Sequence, residues 1–330
     1  MSQRKFIIDA DTGSDDAVAL IMAYRNVPIE NILGVSIVAG NVPLEQGLIN
    51  TNYVNELCDV SIPVYKGAEK PLVRDYLEVH DAKKAKEIAL SYQNESMSAQ
   101  YVHGVDGVGD VGIKPSKNFV QNISAREFYR EALSENDSVD IVALGPLTNI
   151  AHLVQDNQES LNKINHLYVM GGSSNALGNT TKFAEYNFWV DPEAADIVLN
   201  SGIPITMIGW DPSLYDAMID VDKIVEIENL DTKYSKYTSE IHTHIRKFMI
   251  EAIGQDCYGF PDPLAMSVYL DKEIISESTN VNVRVDTRDG MTRGGCILDY
   301  PNLEPESPKI LVVQRCHHDK FYNLLLNSLN

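Results

Sequence analysis

The chain has 330 residues, 44% hydrophobic and 22% charged, with 47 acidic against 27 basic side chains and a net charge of −20. That balance argues against nucleic acid and anionic membrane surfaces as partners. The four cysteines (Cys58, Cys257, Cys296, Cys316) are widely spaced with no CxxC pair, there is no signal-peptide pattern, and no apolar stretch approaches membrane-spanning length; a reduced, cytoplasmic protein is expected.

Phe6–Ile8 reads as a short buried strand, followed by Asp9-Ala-Asp11-Thr-Gly13-Ser-Asp15-Asp16 and a helical pattern over 15–25. Thr12 to Ser14 supply the turn, with Gly13 free to take positive φ. Four carboxylates thus gather within eight residues at the carboxyl end of a strand. Such crowding is costly unless a cation is bound, and oxygen ligands point to Ca²⁺ or Mg²⁺. The unit then recurs. Further strands are expected at Ile32–Val38, Ile62–Tyr65, Val139–Leu144, Leu167–Met170 and Ile205–Ile208, with helices over 44–58, 124–135, 147–155, 191–200 and 235–253. Continuous apolar runs mark strands buried on both faces, so the pattern predicts an α/β fold: a Rossmann-like, mostly parallel sheet flanked by helices. Near the C-terminus, Val281–Val285 and Ile310–Val313 read as a small antiparallel extension, and Phe321–Leu329 as a packing helix. No linker or repeat divides residues 1–330, so one domain is expected. Two stretches interrupt the alternation: residues 70–118, with a polar helical segment at Ala82–Tyr92 and the glycine-rich 103–112, and residues 228–261, rich in Tyr and His. Long loops of this kind tend to cover binding sites.

Polar residues follow several of the strands: Asn41, the pair Thr148-Asn149, Met170-Gly-Gly172 with Asn179, Glu185 and Asn187 beyond it, and Asp211. Strand ends of a parallel sheet converge in space. Asp262, flanked by Pro261 and Pro263, either joins them or caps a helix with Pro263 at its first position. Gly171-Gly172 lacks the partners of a nucleotide-phosphate loop. His103, in a glycine-rich loop, reads as functional; His242 and His244 read as a solvated helix face, and His317 and His318 as surface.

Taken in order, Asp9-x-Asp11-x-Gly13-x-Asp15-Asp16, Leu144-Gly-Pro-Leu-Thr-Asn-Ile150, Met170-Gly-Gly172, Asn179-x5-Glu185-x-Asn187, Asp191-Pro-Glu-Ala-Ala195 and Asp262-Pro-Leu-Ala265 resemble the blocks of the inosine–uridine-preferring nucleoside hydrolases. The resemblance spans roughly residues 5 to 270. It implies Ca²⁺ held by Asp11, Asp16, Asp262 and the carbonyl of Leu144. It further implies a Ca²⁺-activated water with Asp11 as general base, attacking C1′ of a ribonucleoside through an oxocarbenium-like state. Asp15 and Asn187 would hold the ribose 2′ and 3′ hydroxyls, Asn179 and Glu185 the 5′ hydroxyl, and Asn41 would sit near the water; Met170 and Asp262 complete the substrate contacts. The family also implies a homodimer or homotetramer acting on a small-molecule ribonucleoside, purine or pyrimidine.

One position departs from that pattern. The residue before the last metal aspartate is often a histidine that serves the leaving base; here it is Pro261, which cannot donate a proton. His103, Tyr258, His244 or a solvent channel would take over, while Tyr258 and Phe260 either stack on a base or pack the loop. Two other classes compete. A non-catalytic nucleoside binder would follow if leaving-group activation were lost. A haloacid-dehalogenase-like phosphatase would use Asp9 and Asp11, but Gly13 stands where that pattern wants Thr or Val. An EF-hand fails because its loop glycine is one place early and Leu20 occupies the bidentate Glu position.

Overall fold

A computed structural model describes residues 4–73, 99–156 and 158–330. The polar segment Ala82–Tyr92 lies outside the described residues. Thirteen strands are described: β1 Lys5–Ala10, β2 Ile32–Ile37, β3 Val64–Lys66, β4 Val120–Ser124, β5 Val139–Ala143, β6 Ile164–Met170, β7 Ile205–Ile208, β8 Met218–Asp220, β9 Cys257–Gly259, β10 Ile275–Val281, β11 Val283–Val285, β12 Cys296–Leu298 and β13 Ile310–Cys316. Nine form one sheet in the order β10-β13-β7-β6-β5-β1-β2-β3-β4. All neighbours in it pair parallel except β10 and β13, so the antiparallel extension consists of β10 on that edge and the β11–β12 hairpin.

β1 lies between β2 and β5. The chain builds outward from β1 through β2 and β3, then returns to start the other half at β5. The site's first loop therefore leaves the sheet where the strand order reverses, the position at which open α/β sheets bind ligands. Phe6, Ile8 and Ala10 of β1 pack into the core on one face, and Ile7 into the core on the other. Burial on both faces is why this strand reads as an unbroken apolar run, each large side chain contributing about 1.5–3 kcal/mol.

On the first face, the helix Ser14–Asn26 packs against the helices Pro261–Leu270 and His318–Leu329. Its C-terminal end is tied down by Arg25 Nη2 donating to the Asn330 carbonyl (2.8 Å) and Asn26 Nδ2 donating to Ser328 Oγ (2.8 Å). The second face carries the helices Ala125–Glu135, Thr148–Asp156 and Pro192–Leu199. The last is capped by Asp191, which accepts from Ala194 N (3.0 Å), Thr148 Oγ1 (2.6 Å) and Leu72 N (2.9 Å), with Pro192 in its first turn. The Asp191-Pro-Glu-Ala block is therefore scaffold.

The structure corrects or extends the sequence reading at three points. The segment 235–253 is two helices, Lys233–Ile241 and Thr243–Ile253, broken at His242. The polar strand β4 was not foreseen, because it is an edge strand with Gln121 and Asn122 exposed. Gly13 has φ −93°, an ordinary value. Its lack of a side chain is needed for clearance instead: a Cβ there would lie 3.0 Å from Asn41 Nδ2.

Candidate active site

The Asp9–Asp16 turn folds around its own carboxylates. Asp16 Oδ2 accepts from Gly13 N (2.9 Å) and Oδ1 from Asp11 N (3.2 Å), so the helix Ser14–Asn26 begins with an anion on its unpaired amides. Asn41, just beyond β2, donates its main-chain N to Asp11 Oδ2 (2.6 Å) and its Nδ2 to Asp16 Oδ2 (3.1 Å). Asp11 is also clamped between two glycines: a Cβ on Gly40 would fall 2.1 Å from its Oδ2, and one on Gly145 would fall 2.7 Å from its Oδ1. Asp9 faces inward, accepting from Ser36 Oγ (2.5 Å), Asn149 Nδ2 (2.8 Å) and Tyr129 Oη (3.0 Å). Its partners come from β2 and from the helices Ala125–Glu135 and Thr148–Asp156, none of which sequence reading connected to it.

Asp15, Asp16 and Asp262 place carboxylate oxygens within 4.8 Å of one another. Asp262 lies in the first turn of the helix Pro261–Leu270, whose N-cap is Phe260. The capping role considered for Asp262 is therefore not the one it has. Burial, followed by the neighbouring aspartates, drives Asp11 and Asp262 well above the usual carboxylate range. Asp15 is pushed up to about 6 by burial, and Asp16 is raised by burial and by Asp15. Asp11 Oδ1 and Asp15 Oδ1 are buried without a hydrogen-bond partner. Crowded carboxylates with unmet oxygens suit a hard divalent cation, which would reverse these shifts.

A cavity of about 320 Å³ opens over this cluster, a volume suited to a small ligand. Asp15, Asn41, Leu144, Met170, Asn179, Glu185, Asn187 and Asp262 line one end. Asp11 is fully buried beneath, outside the lining. Asn187 Nδ2 donates to the carbonyls of Leu144 (2.7 Å) and Met170 (3.2 Å), which fixes the amide across two strand ends. Glu185 caps the helix Tyr186–Val190, accepting from Asn187 N (3.0 Å) with Oε1 and from Gly172 N (2.8 Å) with Oε2; burial nevertheless raises it to about 7. Because both oxygens accept from N–H groups, Glu185→Gln would turn an NH₂ toward a donor. A loss of about 1–3 kcal/mol is expected, readable by denaturant unfolding. Asn179 Oδ1 accepts from Tyr186 N (2.9 Å).

The other end is largely apolar, with Ala99, Val102, Ile245, Phe248, Met249, Trp210 and Leu214. His103, expected in a loop, instead ends the short helix Gln100–His103 and lines this end, its Nδ1 2.7 Å from Ser14 Oγ. Burial lowers its pKa to about 4, so it is neutral at pH 7. Pro261 lines the cavity, but Tyr258 does not. The Tyr258 ring is buried against His242 and Phe260, with centroids 4.8 and 5.3 Å away, so neither aromatic forms a wall for a base. This corrects the reading of Tyr258 as a catalytic candidate. His244 also lies outside the cavity, 3.6 Å from Asp110. His242 was expected on a solvated face and is instead buried in the cavity wall.

The sequence matches the inosine-uridine preferring nucleoside hydrolase family over residues 6–323. The chain belongs to this family. Among the relatives of this nucleoside hydrolase, uridine nucleosidase 1 of Arabidopsis thaliana is 31% identical over 297 residues, covering 89% of this chain and 82% of that protein. The inosine-uridine preferring nucleoside hydrolase of Crithidia fasciculata is 28% identical over 330 residues, covering 99% and 97%. The solved structure of a purine-preferring ribonucleoside hydrolase from Gardnerella vaginalis superposes with a TM-score of 0.85 at 29% identity, covering 99% and 98% of the two chains. Family membership places the chain among the N-ribohydrolases and sets aside the phosphatase reading. No helix among the described residues is long and apolar enough to cross a membrane.

Proposed function

We propose that this nucleoside hydrolase is a Ca²⁺-dependent enzyme that cleaves the N-glycosidic bond of ribonucleosides to ribose and free base. The observation that supports this reading best is a cavity lined by Asp15, Asp262, Asn179, Glu185 and Asn187 above the buried Asp11, with Asp11 Oδ1 and Asp15 Oδ1 lacking hydrogen-bond partners. Asp11, Asp16, Asp262 and the Leu144 carbonyl would hold the ion, and Asp15 lies close enough to share it. When bound, Ca²⁺ would lower the pKa of a water and so supply a nucleophile at neutral pH.

The remaining roles belong to the chain's own side chains. Asp11, held by Asn41 N between Gly40 and Gly145, takes the proton from the attacking water at its carboxylate. Asp15 and Asn187 grip the 2′ and 3′ hydroxyls, Asn179 and Glu185 the 5′ hydroxyl, and Met170 packs under the sugar. His103 stands beside the leaving base. In the tautomer with Ser14 donating to Nδ1, Nε2 carries the proton and would donate a hydrogen bond to the departing nitrogen as a neutral imidazole. Residues 1–330 would act as one catalytic unit, in the cytoplasm and as a homodimer or homotetramer. The named relatives differ in the base they act on, so the base is assigned by assay.

The test is ribose release from inosine, adenosine, guanosine, uridine and cytidine by the Ca²⁺-loaded protein. At least one should be cleaved. Asp11→Asn is expected to lower kcat by about 10²–10⁴-fold while the circular dichroism spectrum is retained. Absence of ribose from all five would refute the activity.

A further inference from the structure

Asn50, on the helix Leu44–Leu57, is fully buried and holds two parts of the site at once. Its Nδ2 donates to the Thr12 carbonyl in the acidic turn (2.8 Å) and to the Asp106 carbonyl in the glycine-rich loop (2.8 Å), 38 positions before it and 56 after it in the chain. Its Oδ1 accepts from Gln46 Nε2 (2.9 Å), which fixes the amide, since the reversed orientation would set an oxygen against two carbonyls. The loop that Asn50 grips is braced from within. Asp106 Oδ1 accepts from Val108 N and Asp110 N (both 2.8 Å), Asp110 Oδ1 accepts from Val105 N (2.7 Å), and Gly109 N donates to the His103 carbonyl (2.8 Å). His103 is therefore tied to the loop's own framework. Gly107, at φ +76°, comes so close that a Cβ there would lie 2.4 Å from Val42 Cγ1. The acidic turn has other ties, through Thr12 Oγ1 to Thr51 Oγ1 (2.7 Å) and through Asp16 to its own amides. The loop's further side-chain ties are the single bond between the His103 ring and Ser14 and the exposed contact of His244 with Asp110 at 3.6 Å. A ring held by one hydrogen bond can pivot about it; Asn50 fixes where the backbone beneath it stands.

We propose that Asn50 is a positioning residue, docking the loop 104–110 onto the acidic turn and so setting the reach of the His103 imidazole to the leaving base. The assignment rests on the reading of His103 as the group that serves that base. Asn50 lies outside the cavity lining, so it acts through the loop and not on the substrate.

The test compares inosine or uridine, whichever is cleaved, with p-nitrophenyl β-ribofuranoside, whose phenolate departs without needing a proton. The ratio of the two kcat values is read in wild-type, Asn50→Ala, His103→Ala and doubly substituted protein. Asn50→Ala should lower the nucleoside-to-nitrophenyl ratio by about 10²-fold, the cost of a misplacement of about 1 Å. His103→Ala should lower it by about 10²–10⁴-fold. The double variant should fall no further than His103→Ala, within about threefold, since both changes remove one interaction. Gln46→Leu, at the half-buried residue that pins the amide, should show the same fall at smaller amplitude, and it supplies the test should Asn50→Ala fail to fold. An unchanged ratio in the folded variant, or an additive fall in the double variant, overturns the assignment and leaves the role of His103 standing. An unchanged ratio in His103→Ala overturns that role, and this assignment with it. Wild-type protein that cleaves neither substrate overturns the nucleoside hydrolase reading itself, and both with it.

Discussion

Removing divalent cations is expected to stop ribose release altogether, and Ca²⁺ is expected to restore it more effectively than Mg²⁺. Carboxylates joined by a backbone carbonyl, with room for water and sugar oxygens, make a large and adaptable oxygen shell, whereas Mg²⁺ demands a small octahedral one. The same ion should stabilise the fold. Without it, Asp11, Asp15, Asp16 and Asp262 repel one another in a buried space. An ion at a hundredfold excess over its Kd adds about 2.7 kcal/mol, several degrees in Tm. The pH dependence of the chelated protein has a definite sign. Asp9 and Asp15 rise from 3.8 to about 6 on folding. Their contribution is therefore fully present below about 3.8 and lost as pH rises through about 6, so the chelated protein should lose stability over that window. Bound Ca²⁺ favours the ionised carboxylates, and the gap in Tm between loaded and chelated protein should widen from pH 5 to pH 7. Differential scanning calorimetry at both pH values reads this directly; an equal Tm with and without Ca²⁺ at pH 7 would count against the metal site.

The second large effect concerns the sugar. A ribonucleoside is expected to exceed its 2′-deoxy counterpart by about 10⁴–10⁵-fold in kcat/KM, as found for sites built to hydrogen-bond a substrate hydroxyl. On the proposed roles, Asp15 and Asn187 would be the groups responsible. Asn187 is already held by two carbonyls through Nδ2 and cannot swing away, and Asp15 Oδ1 is buried with no alternative partner. A missing hydroxyl leaves both unmet in a dry pocket, and the penalty falls on the transition state as well as on binding. Steady-state assays on uridine and deoxyuridine, or inosine and deoxyinosine, decide it. Discrimination below tenfold would show that these residues do not hold the 2′ hydroxyl.

The parallel sheet was legible because its central strands are buried on both faces and the apolar runs are unbroken. β4 was hidden by the opposite circumstance, since an edge strand tolerates Gln and Asn. The acidic turn was legible because it is compressed into eight residues. The support of Asp9 was not, because Ser36, Tyr129 and Asn149 lie 27, 120 and 140 positions away and converge only in three dimensions. His242 was misread for a related reason. No glycine or proline marks the break at that position; burial of the ring and its bond to Thr238 accompany the interruption. A helical pattern cannot distinguish such a histidine from one facing water. Tyr258 illustrates the limit from the other side, since an aromatic near a site packs as readily beneath its wall as on it.

The helix that starts at Ser14 is held at its far end by residues more than 300 positions later in the chain. Asp262, which meets Asp15 and Asp16, also arrives late. The acidic turn is thus secured only by a closure of very long range in sequence, which is correspondingly slow to form. An ion held by Asp11, Asp16, Asp262 and the Leu144 carbonyl would not seed folding, because that set would come together only once both halves of the sheet had met. Uptake of Ca²⁺ during refolding would instead report completion, trailing the recovery of helix and strand signals.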